Sequence, residues 1–231
     1  NMKEYAPYGC VELFINDNKS DLQVGITTSK VNIRIVVVFR GSESRTDWMY
    51  DLMITKIRLR DNTYVHQGFY RQLHENNNYE SLVDKVKELI EKYPDYEIYI
   101  TGHSLGAALA TLFGYELSYE IENIIKVISF ASPRVGNQTF KTNYEANENL
   151  THYRITNDRD IVTATPMYRY KHIGTNICLH QDNYEVYEKY EYNIFKYSLF
   201  NCWRVSDHNI ELYYNRLKSN LWKENNLTYG K

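Results

Sequence analysis

Cysteine is scarce in this chain. Cys10, Cys178 and Cys202 are odd in number and form no C-x-x-C pair, which excludes a disulfide framework and a cysteine-built metal site. One bridge with a spare thiol and three free thiols both remain open. Long apolar runs are missing as well: the longest, Ile35 to Phe39, falls far short of the ~20 residues that cross a bilayer. No membrane span is expected. Neither sign of charge is in large excess, because 27 Lys and Arg stand against 29 Asp and Glu for a formal net charge of -2. Nucleic acid is therefore not an expected partner, since such binding leaves a basic stripe.

The N-terminus, Asn1 to Gly9, lacks the apolar core of a signal peptide, and Asn1 ahead of Met2 reads as a tag remnant. The expectation is a cytoplasmic protein if Met2 is the native start, and a secreted one if a signal peptide has been removed. Four sequons, at Asn18, Asn137, Asn149 and Asn226, would suit a secreted glycoprotein. In a chain so rich in Asn, Ser and Thr they carry little weight, and the 23 tyrosines read as the same compositional bias. No internal repeat or low-complexity linker occurs, and 231 residues suffice to bury one substantial core. Residues 1–231 are expected to form a single domain.

What is present is an alternation of strand and helix signals. Ile33 to Phe39 is a β-branched run that predicts a strand buried on both faces, and Tyr96 to Thr101 and Ile124 to Phe130 predict two more. Ser81 to Tyr93 sets Leu82, Val83, Val86, Leu89, Ile90 and Tyr93 on one helical face, with Pro94 as its stop. Leu105 to Leu117 mixes alanine with Leu109, Leu112, Phe113 and Leu117, as a helix packed closely on a sheet does. Leu150 to Thr156 predicts a further strand, and Ile210 to Leu221 a terminal helix with Ile210, Tyr213, Leu217 and Leu221 inward. Met167 to Val205 shows neither period and reads as irregular loop with at most one short helix. This order is that of an α/β fold with a mostly parallel central sheet flanked by helices.

At the join of the second predicted strand and the alanine-rich helix lies Gly102-His103-Ser104-Leu105-Gly106, a G-x-S-x-G sequence in the strand-turn-helix frame that such an elbow requires. The glycines give room for a strained serine backbone. The helix that starts there aims its first N–H groups at any developing oxyanion. Ser104 is the candidate nucleophile; the bland alternative is a serine that only opens a helix.

Other motifs run in order along the chain: Phe39-Arg40-Gly41-Ser42, Asp47-Trp48, His66-Gln67-Gly68-Phe69, Pro133-Arg134-Val135-Gly136-Asn137, and Tyr153-Arg154-Ile155 through Asp160-Ile161-Val162. With the elbow they make the chain similar to the class 3 lipase family from about residue 33 to 175, and again around His208. The resemblance implies an α/β-hydrolase fold, in a compact version with a short N-terminal region, and hydrolysis of acylglycerol esters by a Ser-Asp-His triad without metal or other cofactor. Carried over, the acid is Asp160, which directly precedes Ile-Val, and Asp158 is a neighbouring loop residue. Chain order requires a histidine after the acid, leaving His172, His180 and His208. The resemblance selects His208, in Ser206-Asp207-His208 just ahead of the last helix. It matches His172 to another family histidine near the pocket, and His180 reads as a solvated loop residue.

The same resemblance gives the oxyanion hole to Ser42 and to the N–H of Leu105. His66 precedes the nucleophile and reads as structural. Trp48, Met49 and Leu52 fall where secreted members carry a lid, and are candidates for lid or substrate contact with a lipid surface; a plain core edge is the other reading. The family's D-x-V-P-x-x-P is here Asp160-Ile161-Val162-Thr163-Ala164-Thr165-Pro166, which lacks one proline but no reactive group. A serine hydrolase of lipid or small esters is expected. Phospholipase A1 and short-chain carboxylesterase share these residues, and a non-catalytic lipid-binding protein of the same fold is the rival from another class.

Overall fold

The computed structural model describes residues 9–41, 55–181, 183–187 and 204–228, with backbone alone for 220–228. Ser42, Trp48, Met49, Leu52 and Cys202 lie outside the described residues. The strands are β1 (Cys10–Asp17), β2 (Leu22–Ser29), β3 (Arg34–Phe39), β4 (Lys56–Arg60), β5 (Thr63–His66), β6 (Glu97–His103), β7 (Ile125–Phe130), β8 (Leu150–Asn157), β9 (Thr175–Leu179) and β10 (Tyr184–Tyr187). The helices are α1 (Gln67–His74), α2 (Asn78–Lys92), α3 (Leu105–Leu117), α4 (Gln138–Glu145) and α5 (Ile210–Thr228).

Among the described residues eight strands make one sheet in the order β1-β2-β3-β6-β7-β8-β9-β10, and β4 pairs with β5 apart from it. The middle pairs, from β3 through β9, are parallel, while β1, β2 and β3 at one edge and β9 with β10 at the other pair antiparallel. Parallel neighbours need crossovers, which α2, α3 and α4 supply from β3 to β8 and the loop containing Asp160 supplies from β8 to β9. One face of the sheet, with Ile35, Val37, Phe39, Ile100 and Val127, packs under α1, α2 and α3 in the main core. All of α3 is buried. It lies so near the sheet that a Cβ on Gly114 would come 2.7 Å from Val127 Cγ2. At the far end of the opposite face, Tyr213 and Leu217 of α5 cover Ala131, Ile155 and Leu179.

Three expectations need correction. The Ile33–Phe39 run is buried on one face only: Ile35, Val37 and Phe39 alternate with Val38, which is exposed, and Ile33 sits in the preceding turn at φ 49. A continuous apolar run is compatible with one buried face when the other is merely tolerated by solvent. Met167–Val205 is not all irregular, since it contains β9 and β10. Ile210 at the head of α5 is exposed, while Tyr213 points inward as expected. Two sequons serve as structure: Asn137 Nδ2 donates to the Asn62 carbonyl at 2.9 Å and Asn149 Nδ2 to the Ile121 carbonyl at 2.9 Å.

Two histidines are buried as neutral rings. Burial, with the Arg154 charge adding to it, pushes the His152 imidazole down to about 3, and burial with nearby Arg154 and Arg134 holds His172 well below its ordinary range. A depressed folded pKa means the unfolded chain takes up protons first. Stability is therefore full above the ordinary histidine pKa of ~6.5 and falls as pH drops below it, by up to ~1.4 kcal/mol per pH unit for each ring. Urea unfolding at pH 7, 6 and 5 is expected to show this loss, with His152→Gln taking away part of the slope; a pH-independent midpoint would contradict it.

Candidate active site

Ser104 stands between the end of β6 and the start of α3 with φ 60 and ψ -124, a backbone position that a non-glycine residue seldom holds. What keeps it there is local crowding. A Cβ on Gly102 would fall 2.4 Å from the Gly106 carbonyl carbon, and one on Gly106 would fall 2.4 Å from the Phe39 carbonyl oxygen. Only glycine fits at both positions, so the turn is tight and the strand end lies against the helix start. The Ser104 amide donates to the Phe130 carbonyl at 2.9 Å, tying the turn to the adjacent strand. Leu105 is the first helical residue, where an N–H has no intrahelical acceptor.

Ser104 Oγ lies 2.7 Å from His208 Nε2, and His208 Nδ1 lies 2.9 Å from Asp160 Oδ2 and 3.1 Å from Oδ1. Residues 104 apart in sequence thus meet within hydrogen-bond reach. The carboxylate of Asp160 also accepts from the Val162 amide at 2.9 Å and from the Tyr213 hydroxyl at 2.7 Å. With these donors aimed at it, Asp160 acts as acceptor, so His208 Nδ1 carries the hydrogen and Nε2 accepts from the Ser104 hydroxyl. Asp160 is wholly buried and His208 is 3% exposed, so little water competes for these bonds.

The turn that presents His208 is a short 3-10 helix, Val205–His208. Asn157 at the end of β8 pins it by donating from Nδ2 to the Asp207 carbonyl at 2.9 Å, and the Arg204 amide donates to the Arg159 carbonyl at 2.9 Å. Asp160 sits in the loop between these anchors. Arg216 of α5 occupies the neighbouring carboxylates, 2.9 Å from Asp158 Oδ1 and 3.6 Å from Asp207 Oδ2. Asp158 is thereby paired away from the serine.

Tyr213 is the residue that sequence reasoning missed. Its hydroxyl donates to Asp160 and accepts from the Asn157 amide at 2.9 Å, so it ties the acid to the strand end. Burial and the Asp160 charge raise it well above the ordinary tyrosine range, which keeps it a donor. The helical period identified Tyr213 as inward; the signal overlooked is that a buried tyrosine hydroxyl needs a partner.

The other histidines are engaged elsewhere. His66 Nδ1 accepts from the Gly68 amide at 3.2 Å, capping α1, and its ring stacks on Phe69. Buried His172 donates from Nε2 to the Thr163 carbonyl at 2.6 Å, fastening the loop that follows Asp160. His180 is half-buried, 3.4 Å from Asp158 Oδ2. His103 packs its ring 4.8 Å from that of His208. Among the described residues no group of three or more His, Cys, Asp or Glu is placed to hold a metal ion, and no helix is long and apolar enough to cross a membrane.

A serine at a strand-helix elbow, hydrogen-bonded through histidine to a buried carboxylate, is an arrangement for nucleophilic acyl transfer. Residues 36–170 match the family described as Lipase (class 3). A lipase of Rhizomucor miehei is 36% identical over 138 residues, which are 57% of this chain and 37% of that protein. The secreted mono- and diacylglycerol lipase A of Penicillium cyclopium is 31% identical over 156 residues, 67% of this chain and 50% of that protein. The matches thus span half or less of those relatives' lengths. A solved triacylglycerol lipase whose catalytic centre is a serine-protease triad superposes with TM-score 0.81 at 26% identity, covering 91% of this chain and 85% of that one. The fold is the α/β-hydrolase fold of fungal lipases. The matched residues make up more than half of the chain, and the chain belongs to the class 3 lipase family.

Proposed function

We propose that this chain is a serine hydrolase of carboxylic esters, acting on acylglycerol-type lipids through an acyl-enzyme on Ser104. The observation that carries the reading is the continuous bond path from Ser104 Oγ through His208 to Asp160. The proton of Ser104 passes to His208 Nε2 as Oγ attacks the ester carbonyl carbon. The His208 imidazolium, held by Asp160, then gives that proton to the departing alcohol oxygen. Water adds to the acyl-enzyme by the same route, releasing the acid and restoring Ser104. Every step uses protein groups and water.

The Leu105 N–H is the proposed donor to the oxyanion, backed by the positive end of α3. Ser42 is the proposed second donor, and Trp48, Met49 and Leu52 the proposed contacts to the acyl chain or lipid surface. Acylglycerols are favoured over other esters because two of the proteins named above are a mono- and diacylglycerol lipase and a triacylglycerol lipase. The test is hydrolysis of a p-nitrophenyl ester chain-length series, and of tributyrin below and above its solubility limit. Ester cleavage with a gain above the limit is expected. Folded protein that cleaves none of these esters would overturn the reading.

Tyr213 enters as a positioning residue. Tyr213→Phe removes a donor to a charged oxygen and leaves the buried Asn157 amide without its acceptor, which is expected to reduce stability by about 1–3 kcal/mol. Turnover is expected to fall by roughly tenfold, because Asp160 loses one of the bonds that orient it. Urea unfolding and kcat on p-nitrophenyl butyrate measure the two effects separately; an unaltered kcat would remove Tyr213 from the mechanism.

A further inference from the structure

Beside the loop that follows Asp160 lies a cleft of about 660 Å³ lined by Lys56, Tyr64, Asn137, Gln138, Arg169 and Lys171. None of these belongs to the Ser104, His208 and Asp160 path. Among the described residues the lining holds three cationic side chains and no carboxylate. Its walls are cross-linked: the Lys171 amide donates to the Gly136 carbonyl at 2.8 Å and the Asn137 amide to the Tyr64 carbonyl at 2.9 Å. The Tyr170 hydroxyl donates to the Thr55 carbonyl at 3.2 Å, fixing the residue next to Lys56. Gln138 is the first residue of α4, whose N-terminal N–H groups add positive potential.

Lys56 and Arg169 carry the argument. The Lys56 ammonium sits 4.3 Å from the Tyr170 ring centre, an anchor that holds it toward the cleft, and both burial and the Arg169 charge push its pKa down. Gathering like charges is unfavourable, and an anion between them adds attractions that outweigh the repulsion. Arg169 is held at φ 58, a position uncommon for a side chain of its size. An ammonium and a guanidinium lining one cleft beside the Tyr64 phenol match the charge and the oxygens of a phosphate group. The adjoining Met167 and Tyr168 are exposed, 57% and 62%, as apolar tips beside the cations. Cations edged by exposed apolar side chains suit a phosphate carried on a lipid surface rather than one free in solution.

We propose that this cleft is a phosphate-binding subsite for the headgroup of a glycerophospholipid. The inference rests on the ester-hydrolase reading for what happens to the lipid, but binding itself does not depend on turnover. Ser104→Ala protein is titrated, by isothermal calorimetry, with dihexanoylphosphatidylglycerol below its micellar concentration, with dihexanoylglycerol, and with inorganic phosphate. Saturable binding of the phospholipid is expected, at least about tenfold tighter than that of the neutral diester or of phosphate, and weakened about tenfold by adding Lys56→Gln and Arg169→Gln. Inorganic phosphate binding as tightly as the phospholipid would overturn the lipid assignment. Equal affinity for both lipids, or none lost in the double variant, would overturn the site. In the active protein the same pair of substitutions is expected to lower kcat/KM for the phospholipid about tenfold relative to kcat/KM for dihexanoylglycerol. A parallel fall on both lipids would count against the subsite. Ester cleavage without phospholipid selectivity defeats this inference alone, whereas selective binding without any cleavage defeats the hydrolase reading alone.

Discussion

Ser104→Ala is expected to lower kcat on soluble esters by at least about 10³-fold while the protein stays folded. The substitution deletes one oxygen. It leaves the Ser104 backbone bond to Phe130 and the packing of Gly102 and Gly106 in place, so the elbow itself is kept. What is lost is the oxygen that stands 2.7 Å from His208 Nε2 at the head of α3. A residual rate is expected from oxyanion stabilisation and binding, which need no nucleophile from the protein. Steady-state kinetics on p-nitrophenyl butyrate, with circular dichroism and thermal unfolding as controls, measures it. More than a tenth of the activity surviving in folded protein would show that the acyl group is taken elsewhere.

Asp160→Asn is expected to cost about 10⁴-fold in kcat with KM little changed. A carboxylate can accept from His208, Tyr213 and the Val162 amide together. An amide presents an N–H₂ group to one of those donors. His208 is then driven to the tautomer with hydrogen on Nε2, which cannot accept from Ser104. Asp158→Asn is the matched comparison: it breaks a pairing with Arg216 but touches neither Ser104 nor His208. Full activity in Asp160→Asn with loss in Asp158→Asn would transfer the acid to Asp158. The contrast is sharp because the two residues share a loop.

The sequence was most legible where backbone constraint and apolar period agree. The predicted helix Leu105 to Leu117 coincides with α3, because the elbow sets its start and Ser118 its end. The strand ending at Phe130 and the helix of α2 were readable for the same reason, from apolar spacing closed by turn residues. β9 was not, because its interior carries polar side chains: buried Asn176 bonds Thr156 across the strands at 3.0 Å, which breaks the alternation that marks a strand. β1 and β2 went unread too, as an antiparallel edge whose partners only the tertiary structure reveals. Chain order and resemblance named Ser104, Asp160 and His208, yet no spacing in the sequence gives their distances. Those distances depend on Asn157 and Tyr213, whose side chains join three segments far apart along the chain.

The measurement that bears most directly on the mechanism is active-site labelling by a long-chain p-nitrophenyl organophosphonate, read as intact mass and by peptide mapping. A single adduct on Ser104 is predicted, formed much more slowly in His208→Ala because Nε2 no longer takes the serine proton. No adduct on Ser104 in folded protein, or equal labelling rates with and without His208, would contradict the account.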